Sequence, residues 1–196
     1  DRRALLISEN VLTVRQYDDL GVTSSGQIDW NAAETTWATS DVRAWLNGEF
    51  LNATFNTELQ EAIAPSPIVN PDNLESGAAG GENTEDRIFL LSIDEAERYF
   101  ADDGDRIASL TMAEADIEYG LSIYRDYFGW AQENLDTHES TLRDGLNKSQ
   151  AHSWLLRSPG YHGSRVAIIG SDGHLEVNGD FVNDYDGIRP ALWLDL

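Results

Sequence analysis

The chain has 196 residues and a formal net charge of −22, and 41% of its residues are hydrophobic. This composition supplies a core and excludes global disorder, and the negative charge disfavours nucleic acids as partners. The absence of cysteine excludes disulfides, thiolate zinc sites and cysteine nucleophiles. No apolar run approaches the roughly 18 residues of a membrane span, so we expect no direct insertion into a membrane.

Strand and helix patterns alternate in the first part of the chain. Residues 4–8 and 11–17 predict two strands joined by a tight turn, and 18–30 predict a loop. Ser40 is a good N-cap for a helix that begins after it, with apolar residues at helical spacing. The Asn-Gly pair at 47–48 predicts the end of this helix.

The middle of the chain combines a long loop with further helices. Residues 58–63 predict a short helix, and 64–86 predict a loop rich in Gly, Asn and Pro. A loop of over 20 residues inside a compact domain tends to be functional or mobile. Residues 87–91 predict a buried strand. Ser92 and Glu95 then have the spacing of a capping box, which opens a helix through residue 100.

The last part of the chain is rich in strands. An apolar stripe predicts a helix over 116–134, followed by polar sequence to 150. Strands are then predicted at 154–157, 165–169, 175–177 and 188–194. Because chain ends that fray are usually small and polar, the apolar C-terminal strand is expected to close a core.

Four blocks of sequence lie at 36–50, 87–97, 156–160 and 187–193. In this order they resemble a bacterial family of domains of unknown function. The resemblance implies an α+β, C-type lectin-like fold, which formylglycine-generating enzymes share. Such a fold has two main helices around short twisted antiparallel sheets, with long loops and adjacent termini.

The chain departs from this family in two places. The family commonly has Trp-Trp-Leu-Arg where this chain has Trp-Leu-Leu-Arg at 154–157, so one aromatic residue is missing. Residues 116–150 look like an insertion that the family pattern does not require. We therefore expect a single domain over 1–196 with a helical insertion at 116–150.

Two arginines, Arg157 and Arg189, follow predicted strands and have two interpretations. A functional pair would hold a ligand carboxylate through bidentate hydrogen bonds. A structural pair would satisfy loop carbonyls and bind buried acids such as Asp41 or Glu95. We favour the structural interpretation, because arginines inside a hydrophobic framework more often have this role.

The densest group of oxygen ligands lies in residues 178–187. The predicted calcium ligands are Asp180, Asn183, Asp184 and Asp186, because calcium takes six to eight oxygen ligands. The spacing does not match an EF-hand, and the favoured interpretation is a plain Asn/Asp/Gly turn between strands, with the calcium site as the alternative. Apart from calcium we expect no cofactor.

The sequence predicts a binding module and no catalytic residues. It has no nucleophile elbow and no pair of histidines at metal-ligand spacing. We expect a glycan, a peptide or a protein surface as the ligand, bound by the long loops. The predicted contact residues are Asn70, Asp72, Asn73, His162, Arg165, Asp180 and Asp184.

Two further functions stay open at this point. One is an oxidase of the formylglycine-generating type or a metal-assisted enzyme, although formylglycine generation depends on active-site cysteines. The other is a purely structural domain of a larger surface protein. The resemblance and the charge favour a secreted or cell-surface location, with the cytoplasm as the alternative.

Overall fold

The computed structural model describes residues 2–19, 35–110 and 151–196. The predicted helix 116–134 and the predicted insertion 116–150 lie outside the described residues, as does most of the predicted loop 18–30. Among the described helices, none has the length and apolar character of a membrane span.

The described residues form an α+β fold. The strands are β1 (Arg3–Ile7), β2 (Thr13–Gln16), β3 (Ser66–Ile68), β4 (Thr84–Asp86), β5 (Ile88–Phe89), β6 (Trp154–Pro159), β7 (Arg165–Ile169), β8 (Leu175–Phe181), β9 (Tyr185–Ile188) and β10 (Ala191–Asp195). The α-helices are α1 (Asp41–Trp45), α2 (Leu51–Thr54), α3 (Thr57–Ala62), α4 (Ile93–Tyr99) and α5 (Asp103–Arg106). A 3-10 turn (Trp37–Thr39) precedes α1, and a π-helical segment (Leu46–Phe50) joins α1 to α2.

The strands form three sheets, with the orders β1-β10-β5, β2-β9-β6-β7-β8 and β3-β4. The expectation of purely antiparallel sheets is wrong for the five-stranded sheet, because β6 and β9 are parallel, with Trp154 beside Gly187. The reason lies in the connection after β8. The chain leaves β8 at one edge of the sheet and returns on the far side of β6, where β9 runs in the same direction as β6.

The two ends of the described chain meet in the three-stranded sheet. Arg3 pairs with Asp195 and Ile7 pairs with Ala191, so the adjacent termini implied by the resemblance are confirmed. The predicted strands 4–8 and 11–17 do not pair with each other, because β1 joins β10 and β2 joins β9.

The predicted strand 188–194 is two strands, interrupted at Arg189 and Pro190. Pro190 has no backbone N–H to give to a ladder, and its carbonyl accepts a hydrogen bond from the Ser8 amide at 3.0 Å. The chain passes from the five-stranded sheet to the three-stranded sheet at this point. The C-terminal segment therefore joins the two sheets as well as closing the core.

The first long helical segment covers residues 41–54. The predicted cap is confirmed, since Ser40 Oγ accepts an amide hydrogen from the first turn at 3.3 Å. The predicted end at 47–48 is wrong. Asn47 instead accepts the Arg87 amide at 2.9 Å and donates to the Ile88 carbonyl at 2.8 Å. Its side chain ties the helix to β5, and the helix continues through the π-helical segment.

The predicted loop 64–86 is shorter than expected, because β3 and β4 pair at its two ends. Only residues 69–83, called the long loop below, lie outside these strands. The capping box that follows is confirmed. Ser92 Oγ accepts the Glu95 amide at 3.2 Å, and the Glu95 carboxylate accepts the Ser92 amide at 3.0 Å.

The core lies between the sheets and the 41–54 and α4 helices. Its largest fully buried side chains include Tyr17, Trp37, Phe89, Leu155 and Trp154. The polar atoms of these aromatic residues have partners inside the core. Trp37 Nε1 donates to Asp86 at 2.8 Å, and Tyr17 Oη donates to the Arg157 carbonyl at 3.1 Å.

Candidate ligand-binding cleft

Arg157 on β6 fixes the start of the long loop. Its guanidinium donates to the Val69 carbonyl at 3.0 Å and to Asn70 Oδ1 at 3.2 Å. It also pairs with Glu95 of the capping box. The arginine side chain is only 3% exposed, so these bonds compensate a buried charge. Such contacts support the structural interpretation of this arginine.

Arg189 has a similar role between the two larger sheets. Its Nε donates to the Ser8 carbonyl at 2.8 Å. Its guanidinium carbon lies 5.0 Å from the ring centroid of Phe100 and 5.0 Å from that of Trp154. Burial lowers the pKa of Arg189, because the charged form loses water. Both arginines therefore serve the scaffold.

Asn73 holds the middle of the long loop against the sheet. Its Nδ2 donates to the carbonyls of Pro159 at 2.9 Å, Gly160 at 3.2 Å and Val177 at 2.8 Å. Its Oδ1 accepts two amide hydrogens from the loop itself, at 3.0 and 3.2 Å. An asparagine amide has two donors and two acceptor sites, and all of them are used here. Asn73 is 2% exposed.

The two ends of the long loop are joined by similar bonds. Asn70 Nδ2 donates to the Glu82 carbonyl at 2.7 Å, and Asp72 Oδ1 accepts the Gly80 amide at 2.9 Å. A Cβ atom at Gly80 would lie 2.2 Å from the Asn70 carbonyl oxygen, so only glycine permits this approach. The side chains of Asn70, Asp72 and Asn73 therefore bind groups of the protein itself, in the long loop and in the sheet, and their contact with a ligand stays a prediction.

The turn between β6 and β7 lies opposite the long loop. Tyr161 in this turn is 62% exposed, and its ring meets the His162 ring at 5.7 Å in an edge arrangement. His162 Nδ1 and Ser164 Oγ are hydrogen-bonded at 2.9 Å. The Thr35 amide donates to the Gly163 carbonyl at 2.9 Å. These bonds fix the turn and leave the tyrosine ring facing solvent.

A cleft of about 300 Å³ separates the turn from the long loop. We call it the loop cleft. It is lined by Thr35, Ser76, Gly77, Ala78, Ala79, Tyr161, His162 and Gly163. One wall consists of backbone and small side chains, and the other carries an aromatic ring and an imidazole. No carboxylate or guanidinium belongs to this described lining, so the cleft is suited to an uncharged polar ligand.

The remaining predicted contact residues lie around β8 and the turn after it. The Arg165 guanidinium donates to the Gly179 carbonyl at 2.6 Å and lies 4.0 Å from the Phe181 ring centroid. It therefore stabilises β8 and does not face the loop cleft. Burial and the neighbouring charge of Asp180 raise the pKa of Asp184. Of the seven predicted contact residues, His162 alone is among the residues that line the cleft.

The predicted calcium ligands surround the turn between β8 and β9. Asp186 is buried and accepts a hydrogen bond from Ser153 Oγ at 2.5 Å. Within the described part of the chain, Asn183 Oδ1 is buried without a hydrogen-bond partner. No three His, Asp or Glu side chains of residues 2–19, 35–110 and 151–196 are grouped so that they could hold a metal ion. The calcium prediction for Asp180, Asn183, Asp184 and Asp186 gains no support from these contacts.

The sequence interpretation missed Tyr161. The sequence does contain a signal for an exposed ring, because an aromatic residue directly follows the Ser-Pro-Gly at 158–160. A turn lies at the protein surface, so a large ring in it is placed away from the core. Its exposure becomes visible only when the turn is placed beside the long loop.

Comparison with known proteins places the chain in a family. A family model described as a domain of unknown function, DUF6273, matches residues 1–196, which includes the predicted insertion. Neither the curated proteins nor the solved structures contain a significant match. The match over the whole chain means that this protein belongs to the DUF6273 family of domains of unknown function.

Proposed function

We propose that the domain is a non-enzymatic ligand-binding module and that its loop cleft binds a neutral glycan unit. The observation that carries this proposal is the exposed ring of Tyr161 opposite a wall of backbone and small side chains. An aromatic face packs against the apolar face of a sugar ring, while backbone groups of the opposite wall offer partners for its hydroxyls. Because the described lining contains no carboxylate or guanidinium group, it favours a neutral glycan over a charged peptide at this site.

The hydrogen bonds around the long loop support this function energetically. Asn73, Asn70 and Asp72 hold the loop before any ligand arrives. A binding wall that is already ordered loses less conformational entropy when the ligand binds. The volume of about 300 Å³ lies at the lower end of small-ligand pockets, which corresponds to one or two sugar residues.

We also propose a C-type lectin-like arrangement for the fold, in a bacterial protein that is secreted or displayed at the cell surface. The pairing of β1 with β10 at the termini supports it, as does a long loop supported by sheet strands. The net charge of −22 would keep such a domain soluble and separate from anionic surfaces.

An oxidase of the formylglycine-generating type is less well supported. In that group the reaction depends on active-site cysteines, and this sequence contains none. A metal-assisted enzyme and a purely structural domain are competing functions, and the binding experiment separates them from the proposed module.

The experiment is a screen of neutral oligosaccharides, followed by calorimetric titration of the best ligand against wild type and Tyr161→Ala. The matched control is Tyr99→Ala on α4, since Tyr99 is also exposed, at 44%, and lies outside the cleft lining. We expect Tyr161→Ala to raise the Kd about tenfold or more, as loss of a central aromatic contact does, and Tyr99→Ala to leave it unchanged.

Three outcomes contradict the proposed function. Equal loss in both tyrosine variants would place the ligand elsewhere, and a screen without saturable binding would favour a structural domain. Repeating the titration with EDTA and with added calcium tests the calcium prediction separately. Turnover of a bound oligosaccharide would contradict the non-enzymatic assignment.

A further inference from the structure

A second and larger concavity lies on the other side of the long loop. It has a volume of about 580 Å³ and is bounded by the end of α4, the start of α5, β8 and Glu75 of the long loop. We call it the acidic groove. Its chemistry differs from that of the loop cleft, because carboxylates surround an apolar floor.

The floor consists of Phe100, Leu175 and Val177, all of them partly buried. Leu175 and Val177 are two residues apart on β8, so both side chains point to the same face of the sheet. The Phe100 ring is held from the inside by Trp154, at a centroid distance of 6.2 Å, and by the guanidinium of Arg189 at 5.0 Å. The floor is therefore a fixed apolar surface that does not depend on a ligand for its order.

Carboxylates lie around this floor, and two of them have no partner among the described residues that would compensate their charge. Asp103 pairs with Arg106, and Asp102 accepts the amide hydrogen of Asp105 at 3.1 Å to cap α5. The side chains of Glu75 and Glu97 have no hydrogen bond or ion pair with any described residue, and both are exposed.

The one guanidinium in the described lining of the groove, that of Arg106, pairs with Asp103 and does not neutralise Glu75 or Glu97. Arg106 is 8% exposed, and its Nε donates to the Gly173 carbonyl at 3.0 Å. His174 lies with its Nδ1 3.6 Å from Asp103 Oδ2. The groove therefore keeps an excess of negative charge, and it lies on a chain whose net charge is −22. Such a field attracts cations and raises their local concentration.

We propose that the acidic groove docks a basic peptide segment of a partner protein. Lysine and arginine have aliphatic stems that pack on apolar surface while the charged end stays in a polar environment. A basic stem along Phe100 would leave its cation facing Glu75 and Glu97, and a neighbouring apolar side chain of the peptide would cover Leu175 and Val177. Charge complementarity selects this occupant over an acidic or neutral one.

The test is fluorescence anisotropy with a labelled peptide, Lys-Leu-Lys-Leu-Lys, titrated with the full chain in 50 mM NaCl. The double variant Glu75→Gln, Glu97→Gln removes the two uncompensated charges without touching a contact of the fold. The matched control is Glu58→Gln, Glu61→Gln on α3, which removes the same charge from exposed residues outside the groove. Unchanged urea midpoints will show that both variants fold.

We expect the groove variant to weaken binding about tenfold and the α3 control less than twofold, because only the first removes charges next to the bound cation. Binding should also weaken in 300 mM NaCl through screening, and replacing the peptide leucines by serine should weaken it severalfold. Equal loss in both double variants, unchanged binding of the serine peptide, or the absence of saturable binding would each overturn the proposal. If an equimolar amount of n-butylammonium displaced the peptide, the ligand of the groove would be a small amine, and the proposal of a peptide partner would be wrong. Failure of the glycan screen leaves this result unaffected, because the two sites have separate linings.

Discussion

The bonds of Asn73 make the sharpest prediction about stability. Asn73→Ala removes the donor to three carbonyls and the acceptor of two amide hydrogens from a side chain that is 2% exposed. Each net hydrogen bond contributes about 0.5–1.5 kcal/mol. Two donor hydrogens are shared among three carbonyls, and water reaches some of the released groups. We therefore expect a loss of about 2–4 kcal/mol in the free energy of unfolding.

Urea denaturation followed by tryptophan fluorescence measures this loss. With an m-value of about 2 kcal/mol/M for a chain of this size, the midpoint should fall by about 1–2 M. The control is Asn56→Ala, since Asn56 is exposed and its Oδ1 only caps α3, accepting the Leu59 amide at 2.9 Å. That variant should lose about 1 kcal/mol. The reasoning is refuted if Asn73→Ala costs no more than Asn56→Ala.

Asn73→Asp tests the direction of the same hydrogen bonds. The carboxylate keeps the acceptor of the Glu75 and Ser76 amides but faces carbonyl oxygens at Pro159 and Val177. Burial and these oxygens should raise its pKa above the unfolded value of about 3.9. The folded state then holds its proton to higher pH than the unfolded state, so stability falls as the pH rises. We expect the smallest penalty near pH 4 and a larger penalty at pH 7.

Three further predictions concern other buried groups. Arg157→Lys should cost about 2–4 kcal/mol of unfolding free energy although the charge is kept, because one ammonium cannot replace the forked bonds of the guanidinium; thermal denaturation measures it. Ser92→Ala should cost about 1 kcal/mol through the lost α4 cap, read as a shift of the urea midpoint. Burial raises the pKa of Asp186, so its contribution to stability falls as pH rises through that pKa. Asp186→Asn keeps an acceptor for Ser153 and should therefore raise stability at pH 7 more than at pH 4.5 in urea titrations.

The sequence predicts those parts of the fold that short-range bonds determine. The caps at Ser40 and Ser92 each bond an amide within three residues, so spacing alone identifies them. The end of the 41–54 helix is different, because the Asn47 side chain bonds Arg87 and Ile88, some 40 residues away. A local sequence pattern does not reveal this distant backbone partner, so the Asn-Gly pair alone predicts the end of the helix.

The distinction between short-range bonds and bonds to distant residues also applies to the candidate site. An asparagine in a loop is equally suited to a ligand hydroxyl and to a distant backbone carbonyl. Asn73 binds distant backbone, because its amide donates to the carbonyls of Pro159, Gly160 and Val177, which lie 86 to 104 residues further along the chain. Tyr161 is the opposite case, because its role depends on what the fold leaves uncovered.

The two proposed sites share the long loop as a common wall. Glu75 borders the acidic groove, and residues 76–79 border the loop cleft. Asn73 holds the loop between them, so its loss should weaken the binding of glycan and of basic peptide together. Tyr161→Ala should weaken only the glycan, and Glu75→Gln with Glu97→Gln only the peptide. If the loop also couples the sites, saturating glycan must change the peptide affinity by the same factor as saturating peptide changes the glycan affinity. A pair of reciprocal titrations therefore measures whether the loop transmits binding energy or only separates two independent surfaces.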